Sequence, residues 1–213
     1  MALAVDSFVL GPAQENCHFV RADGDAREAV VVDPGDEADQ LRRELDRSGL
    51  RCAAILVTHC HWDHLGAVAD LAEATGAPVS MSRLEAPVLE APDDFYAGLG
   101  IRIRPYRPNV LLDGDETFSA AGIEFETLTV PGHSPGHLVF HADGCLFSGD
   151  VLFAGGVGRT DLPGGDWETL LASIRALLER FPPETVVYPG HGPRTTLGAE
   201  LARNPFLAEL RAP

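Results

Sequence analysis

The 213-residue chain contains no lysine: its 16 basic residues are all arginine, set against 32 acids and 8 histidines for a formal net charge of −16. Without a side-chain primary amine, Schiff-base catalysis, a lysine general base and a phosphate loop of the Walker type are excluded. So acidic a chain also argues against a nucleic-acid or anionic-membrane partner, because each needs a basic face. No stretch approaches 18 consecutive apolar residues, so no membrane span is expected. The N-terminal MALAVDSFVL has neither a basic leader nor a long apolar run, so no export signal is expected and a cytoplasmic location is the default. Cysteine is sparse. Cys17, Cys52, Cys60 and Cys145 lie far apart without a Cys-x-x-Cys pair, which is no disulfide framework.

What is present is an ordinary globular composition, 45% hydrophobic and 23% charged. The length suggests a single domain over 1–213, built of two halves at roughly 1–110 and 111–213. Short apolar runs predict strands at 8–10, 17–21, 29–32, 53–57 and 78–81, broken by Gly11-Pro12 and by the turn at 22–25. Leu41 and Leu45 among charges predict a surface helix over 36–47, and a second helix is expected from Leu65 to Thr75, ending at Gly76. The proline-rich stretch 91–108, with Phe95, Tyr96 and Tyr106, reads either as the wall of a site or as a plain connection. Further strands are expected at 116–118, 123–130, 138–141, 145–147 and 185–188. Helices are expected at 167–180 and around Asn204-Pro205. Strand-rich halves that each carry helices suggest an α/β protein with two sheets covered outside by helices.

The most informative stretch is Thr58-His59-Cys60-His61-Trp62-Asp63-His64, directly after a buried strand. In an extended segment His59 and His61 project to one side, so two imidazoles can meet one metal ion. The chain then turns, and Asp63 and His64 can face a second position nearby. Zinc and similar ions favour such a nitrogen-plus-carboxylate set. His133 in PGHS, Asp150 in SGD and His191 in PGHG each sit just past an expected strand, beside glycine or proline, where a rigid sheet presents loop residues.

Together THCHWDH, PGHS, SGD and PGHG resemble the metallo-beta-lactamase-fold hydrolase superfamily, and within it the short glyoxalase II-like (hydroxyacylglutathione hydrolase-like) branch, from about residue 8 to the C-terminus. The resemblance implies an αββα sandwich of two mixed β-sheets flanked by helices, with a dinuclear site along one edge. Carried over residue by residue, His59, His61 and His133 hold one metal ion. Asp63, His64 and His191 hold the other, and Asp150 bridges them. Zinc is the first expectation for the two divalent ions, and iron the other candidate. His61 stands where flavo-diiron oxygen reductases carry Glu, and His64 where one class of zinc beta-lactamases carries Arg. Beta-lactamases lack the bridging Asp, and the nucleic-acid-processing branches carry inserted domains for which this chain has no room. Antibiotic hydrolysis and nuclease action are therefore disfavoured.

Two such cations would lower the pKa of a shared water towards ~7, giving a hydroxide that attacks a carbonyl polarised by one metal, with Asp63 and Asp150 as the catalytic carboxylates. A thiolate leaves without a strong general acid, since thiols have a pKa near ~8.5. The expected substrate is accordingly a small-molecule thioester or thiol-derived compound. A lactone is within reach, whereas an amide would want a proton donor.

Asp33 either hydrogen-bonds a ligand imidazole or merely caps a turn or helix, and His137 is a similar supporting candidate. Arg159 and Asp161, in Gly-Arg-Thr-Asp, either pair with each other or leave Arg159 to bind a substrate carboxylate. His18 and His141 read as structural or exposed. Glyoxalase II proper carries Lys and Tyr near Arg159, where this sequence has Gly-Arg-Thr-Asp, and an added C-terminal helical domain that binds glutathione, which is not expected here. The Gly-Arg-Thr-Asp run also resembles persulfide dioxygenases, which hold a single Fe2+ by the equivalents of His59, His133 and Asp150. A lactonase and a non-catalytic metal-binding member are the lesser alternatives. No motif encodes the acyl group, the thiol or the oligomeric state.

Overall fold

The computed structural model describes residues 2–211, so Met1, Ala212 and Pro213 of the expected 1–213 domain lie outside the described residues. The first sheet takes β1 (Ala4–Leu10), β2 (Glu15–Arg21), β3 (Glu28–Val32), β4 (Arg51–Leu56), β5 (Val79–Ser82) and β6 (Val110–Leu112), in that order. β1 to β3 pair antiparallel, β3 to β6 parallel. Its connections contain α1 (Ala38–Ser48), α2 (Trp62–Leu65), α3 (Val68–Thr75), α4 (Ala86–Glu90) and α5 (Asp93–Tyr96).

The second sheet is built from β7 (Thr117–Ala120), β8 (Ile123–Thr129), β9 (Leu138–Ala142) and β10 (Cys145–Gly149). After a two-stranded ribbon, β11 (Leu152–Phe153) with β12 (Gly156–Val157), come α6 (Trp167–Arg180), β13 (Val186–Pro189), β14 (Thr195–Thr196) and α7 (Leu197–Arg203). The sheet order is β14-β13-β10-β9-β8-β7, with β10 and β13 parallel and the other neighbours antiparallel.

Side-chain alternation stacks the layers. Val30, Val32, Ala54 and Leu56 of the first sheet face Phe125, Phe140, Phe147 and Tyr188 of the second. The intervening Val31 and Ile55 face Leu41 and Leu45 of α1 and Leu71 of α3. On the other side Val139, Leu146 and Val187 face Leu170, Ile174 and Leu177 of α6. Strands buried on both faces read as continuous apolar runs, which explains Ala29-Val30-Val31-Val32. The result is two mixed sheets flanked by helices, as the sequence led us to expect.

Two differences bear on the site. The helix expected over 65–75 begins later, as α3 at Val68, because the chain leaves α2 after Leu65 and turns through Gly66 and Ala67. A Cβ on Gly66 would lie 2.2 Å from the Gly35 carbonyl oxygen, and the Ala67 amide is drawn to the Pro34 carbonyl at 3.0 Å. This packing ties the start of α3 to the turn that carries Asp33. The stretch 91–108 holds α5 and a 3₁₀ turn over Ala97–Leu99, then runs irregularly to β6. Phe95, Tyr96 and Leu99 from it line the main cleft, so it is a wall rather than a plain connection. Among the described residues no helix is long and apolar enough to cross a membrane.

Candidate metal centre

Every expected ligand follows a strand, and all arrive at one edge of the sandwich. β4 leads to His59 and His61 and into α2 with Asp63 and His64; β8, β10 and β13 lead to His133, Asp150 and His191. Main-chain bonds lock these loops together: Leu138 N–H to the Thr58 carbonyl at 2.8 Å, Gly190 N–H to the Gly149 carbonyl at 2.8 Å, and Asn16 N–H to the Gly190 carbonyl at 2.7 Å. At Gly190 a Cβ would lie 2.2 Å from Asp150 Oδ1 and 2.7 Å from His64 Cε1, and at Gly158 it would lie 1.8 Å from the Asp150 carbonyl oxygen. Only glycine permits these approaches.

Among the described residues the donors form overlapping groups, two of which match the expected division, while His59, His64 and Asp150 form a group that links them. In the first, His59 Nε2 lies 3.1 Å from His61 Nδ1 and 3.2 Å from His133 Nε2, and His61 Nδ1 lies 2.8 Å from His133 Nε2. In the second, His191 Nε2 lies 3.2 Å from Asp63 Oδ2, and one donor atom each from Asp63, His64 and His191 lies within 4.8 Å of the others. Asp150 stands between. Its Oδ1 is 3.4 Å from His64 Nε2, while its Oδ2 is 3.6 Å from His133 Nε2 and 3.5 Å from His191 Nε2.

Electrostatics separate the clusters. Burial holds His59 well below the usual histidine range, takes His61 down to about 4 and lowers His133, so all three are neutral imidazoles. His64 goes the other way: burial alone would lower it, but the carboxylates of Asp150 and Asp33 push it well above its ordinary value. Burial would likewise lower His191, and Asp63 and Asp150 raise it. Burial would raise Asp150, yet His64, through its charge and hydrogen bond, and His191 outweigh it and hold the carboxyl down.

The donor set fits metal ions on two counts. Three neutral imidazoles present ring nitrogens to one point, and an ion bound at ~2.1 Å by tetrahedral donors sets them about 3.4 Å apart. His64 Nε2 and Asp150 Oδ1 are buried 3.4 Å apart, and neither makes a well-formed hydrogen bond, so both have a lone donor direction open to a shared cation.

The surrounding residues fix ring orientations. Asp33, with φ of 50°, accepts from Thr58 N–H at 2.7 Å and the Thr58 hydroxyl at 2.6 Å, and lies 3.0 Å from His64 Nδ1. Its carboxylate therefore holds the His64 ring with Nε2 turned towards the cluster. His133 Nδ1 bonds the carbonyl oxygen of Arg159 at 2.8 Å. His137 stacks on His59 with centroids 4.6 Å apart and accepts the Asp150 N–H at 3.1 Å. The Arg159 guanidinium turns away to Asp161, at 2.7 and 2.6 Å, so the pairing reading is the one realised. His18 is structural, buried between the Ser7 hydroxyl and the Pro189 carbonyl; His141 stacks on Phe181.

Sequence reasoning missed three buried groups. Glu85 accepts from Cys60 N–H at 2.6 Å and Gly136 N–H at 2.7 Å, clamping the His59–His61 loop to the His133 loop. Asn16 donates its amide to the Pro189 and Gly192 carbonyls on either side of His191. Glu15 lies 3.9 Å from His64 Nδ1 with neither carboxyl oxygen hydrogen-bonded, and burial pushes it well above the carboxylate range.

The centre floors a cleft of about 840 Å³. The profile of the Metallo-beta-lactamase superfamily matches residues 10–191 of the sequence. The chain belongs to that superfamily. Among superfamily relatives, the hydroxyacylglutathione hydrolase GloC of Haemophilus influenzae is 37% identical over 91% of this chain and 93% of its own. The solved structure of the BLEG-1 B3 metallo-beta-lactamase superposes with a TM-score of 0.90 at 38% identity, covering 96% of this chain and all of that one. TTHA1623, solved in a di-iron-bound form, gives a TM-score of 0.82 at 45% identity, over 95% of this chain and all of its own. These likenesses make the chain a metallo-hydrolase of the superfamily and its His/Asp cluster a site for divalent metals, without fixing zinc over iron.

Proposed function

We propose that the protein is a thioester hydrolase with two divalent metal ions, one at His59, His61 and His133 and one at Asp63, His64 and His191, with Asp150 shared. The observation that carries this reading is that, among the described lining residues, the Tyr96 hydroxyl and the Glu85 carboxylate are committed to the backbone and so do not serve a leaving group. Tyr96 commits its hydroxyl proton to the Cys60 carbonyl at 2.5 Å, and both Glu85 oxygens are taken by backbone N–H groups. A thiolate departs without protonation, whereas an amine does not. The GloC relative adds support, since its name describes hydrolysis of a thioester.

When bound, the metal pair supplies an acidified water and a Lewis acid for the acyl oxygen. Asp63, open to the cleft, orients the attacking water. Asp150 fixes the interval between the clusters, and Asp33 and Glu85 keep their imidazoles in place. Oxygen adds to the acyl carbon, the C–S bond breaks, and the products are a carboxylate, a thiol and a proton.

The second reading of the sequence, a persulfide dioxygenase with one iron at His59, His133 and Asp150, uses three of the seven donors, so metal stoichiometry separates it from the first. Metal content of the protein as purified, measured beside turnover of thioesters, lactones and a β-lactam and oxygen uptake on a persulfide, tests the assignment. About two metal ions per chain with thioester turnover and no oxygen uptake is the expected result. One iron with oxygen uptake overturns it, as does preferred β-lactam cleavage, which the BLEG-1 likeness makes a necessary arm.

A further inference from the structure

The floor of the cleft is polar and its walls are not. Trp62, Phe95, Tyr96 and Leu99 line it, with Phe153 and Leu162 among the other apolar residues. Leu84, Phe95 and Leu99 are 65%, 52% and 70% exposed, so three of the six most exposed large hydrophobics among the described residues belong to this one cleft. Clustered exposed apolar surface marks a place that something covers. The cation count runs the same way. Among the described lining residues Arg159 is the only arginine, the chain has no lysine, and both prongs of the Arg159 fork are held by Asp161. Asp93 and Asp94, on the helix that supplies Phe95 and Tyr96, add exposed negative charge beside the wall.

We infer that the cleft selects substrates whose arms are apolar and uncharged, and that Asp161 enforces the choice by occupying Arg159. The inference rests on the thioesterase reading for its chemistry, though not for its binding preference. A carboxylate on the substrate has to displace one tethered two residues from the guanidinium, so it competes against a high local concentration. It also meets like charge, which discriminates against wrong partners. An alkyl or aryl arm meets neither obstacle and gains by covering Phe95 and Leu99.

The test compares two thioesters of one acyl group on the metal-loaded protein: one of an uncharged alkyl thiol, the other of glutathione, which carries net negative charge. The expected kcat/KM ratio favours the uncharged ester by about 10–100-fold. Asp161→Asn frees Arg159 and is expected to cut that ratio by about tenfold, and adding Arg159→Gln restores it. A wild-type ratio near one or reversed, or a ratio unmoved by Asp161→Asn, overturns the inference. Calorimetric titration with an uncharged, non-hydrolysable thioether and its carboxylated analogue provides a readout independent of turnover. If no thioester is cleaved, the thioesterase reading fails, and the titration alone decides the cleft: tighter binding of the uncharged thioether upholds the selectivity, and equal or weaker binding overturns it.

Discussion

The two donor clusters share Asp150 yet are held in opposite ways. His59, His61 and His133 form an all-nitrogen, charge-neutral set, gathered from both sheets and clamped through the main chain by Glu85. Asp63, His64 and His191 form a mixed set rich in negative charge, with Asp33 gripping His64 from behind. The first cluster accepts a cation without displacing protons, because burial has already removed them. The second is surrounded by carboxylates that raise His64 and His191, so it favours positive charge. A neutral nitrogen site and an anionic site a few ångströms apart differ in affinity and in pH response even when they hold the same ion.

The largest expected effect comes from the residue common to both. Asp150→Ala should abolish the difference between the clusters by crippling each: turnover falls by more than about a hundredfold, since losing a ligand costs more than losing an outer partner, and both ions are weakened in a metal-binding titration. Asp33→Asn should sharpen the contrast. It removes the charge that orients His64, so affinity at the second cluster drops about 10–100-fold while the first ion stays bound, read as a change from two stoichiometric equivalents to one.

Acidity should separate them next. Because His64 and His191 are raised and His61 is lowered to about 4, protons compete for the second cluster in a range where the first is already deprotonated. As pH falls from about 8 to about 6, the second ion should be lost first, at up to about tenfold in affinity per pH unit for each proton displaced. Loss of both ions together in a pH-stepped dialysis would refute the contrast. The smallest effect is structural: Glu85→Gln leaves a backbone N–H facing an amide, costing about 1–3 kcal/mol, with the melting temperature down by about 2–4 °C per kcal/mol and the first cluster weakened more than the second.

Much of this was legible because ligands that act together often sit together. Seven donors could be named from THCHWDH and three glycine-flanked loops, and the structure brings all seven to one edge. Helix α6 matches its expected span because Asp166 caps it and its leucines recur at helical spacing. The helix expected over 65–75 ends as expected but starts at Val68 for a tertiary reason, since the close approach of the Gly35 carbonyl to Gly66 turns the chain there, and helical periodicity does not register such a contact. Asp33 had two readings because a turn and an imidazole bond need the same residue. Glu85 and Glu15 were invisible: each is a lone acid in its local sequence, and only the fold carries it across to the histidine loops.

The close approaches at Gly190 and Gly158 make the backbone the ruler of this centre. At Gly158 the neighbour is the Asp150 carbonyl oxygen and at Gly190 the donor side chains of Asp150 and His64, so the bare backbone of one loop seats the donors carried by another. A methyl group added at 190 should therefore silence the enzyme with every donor still present. A relative that keeps all seven donors but places a side chain at that position is expected to hold a differently spaced pair, a difference that a comparison of ligand residues alone would pass over.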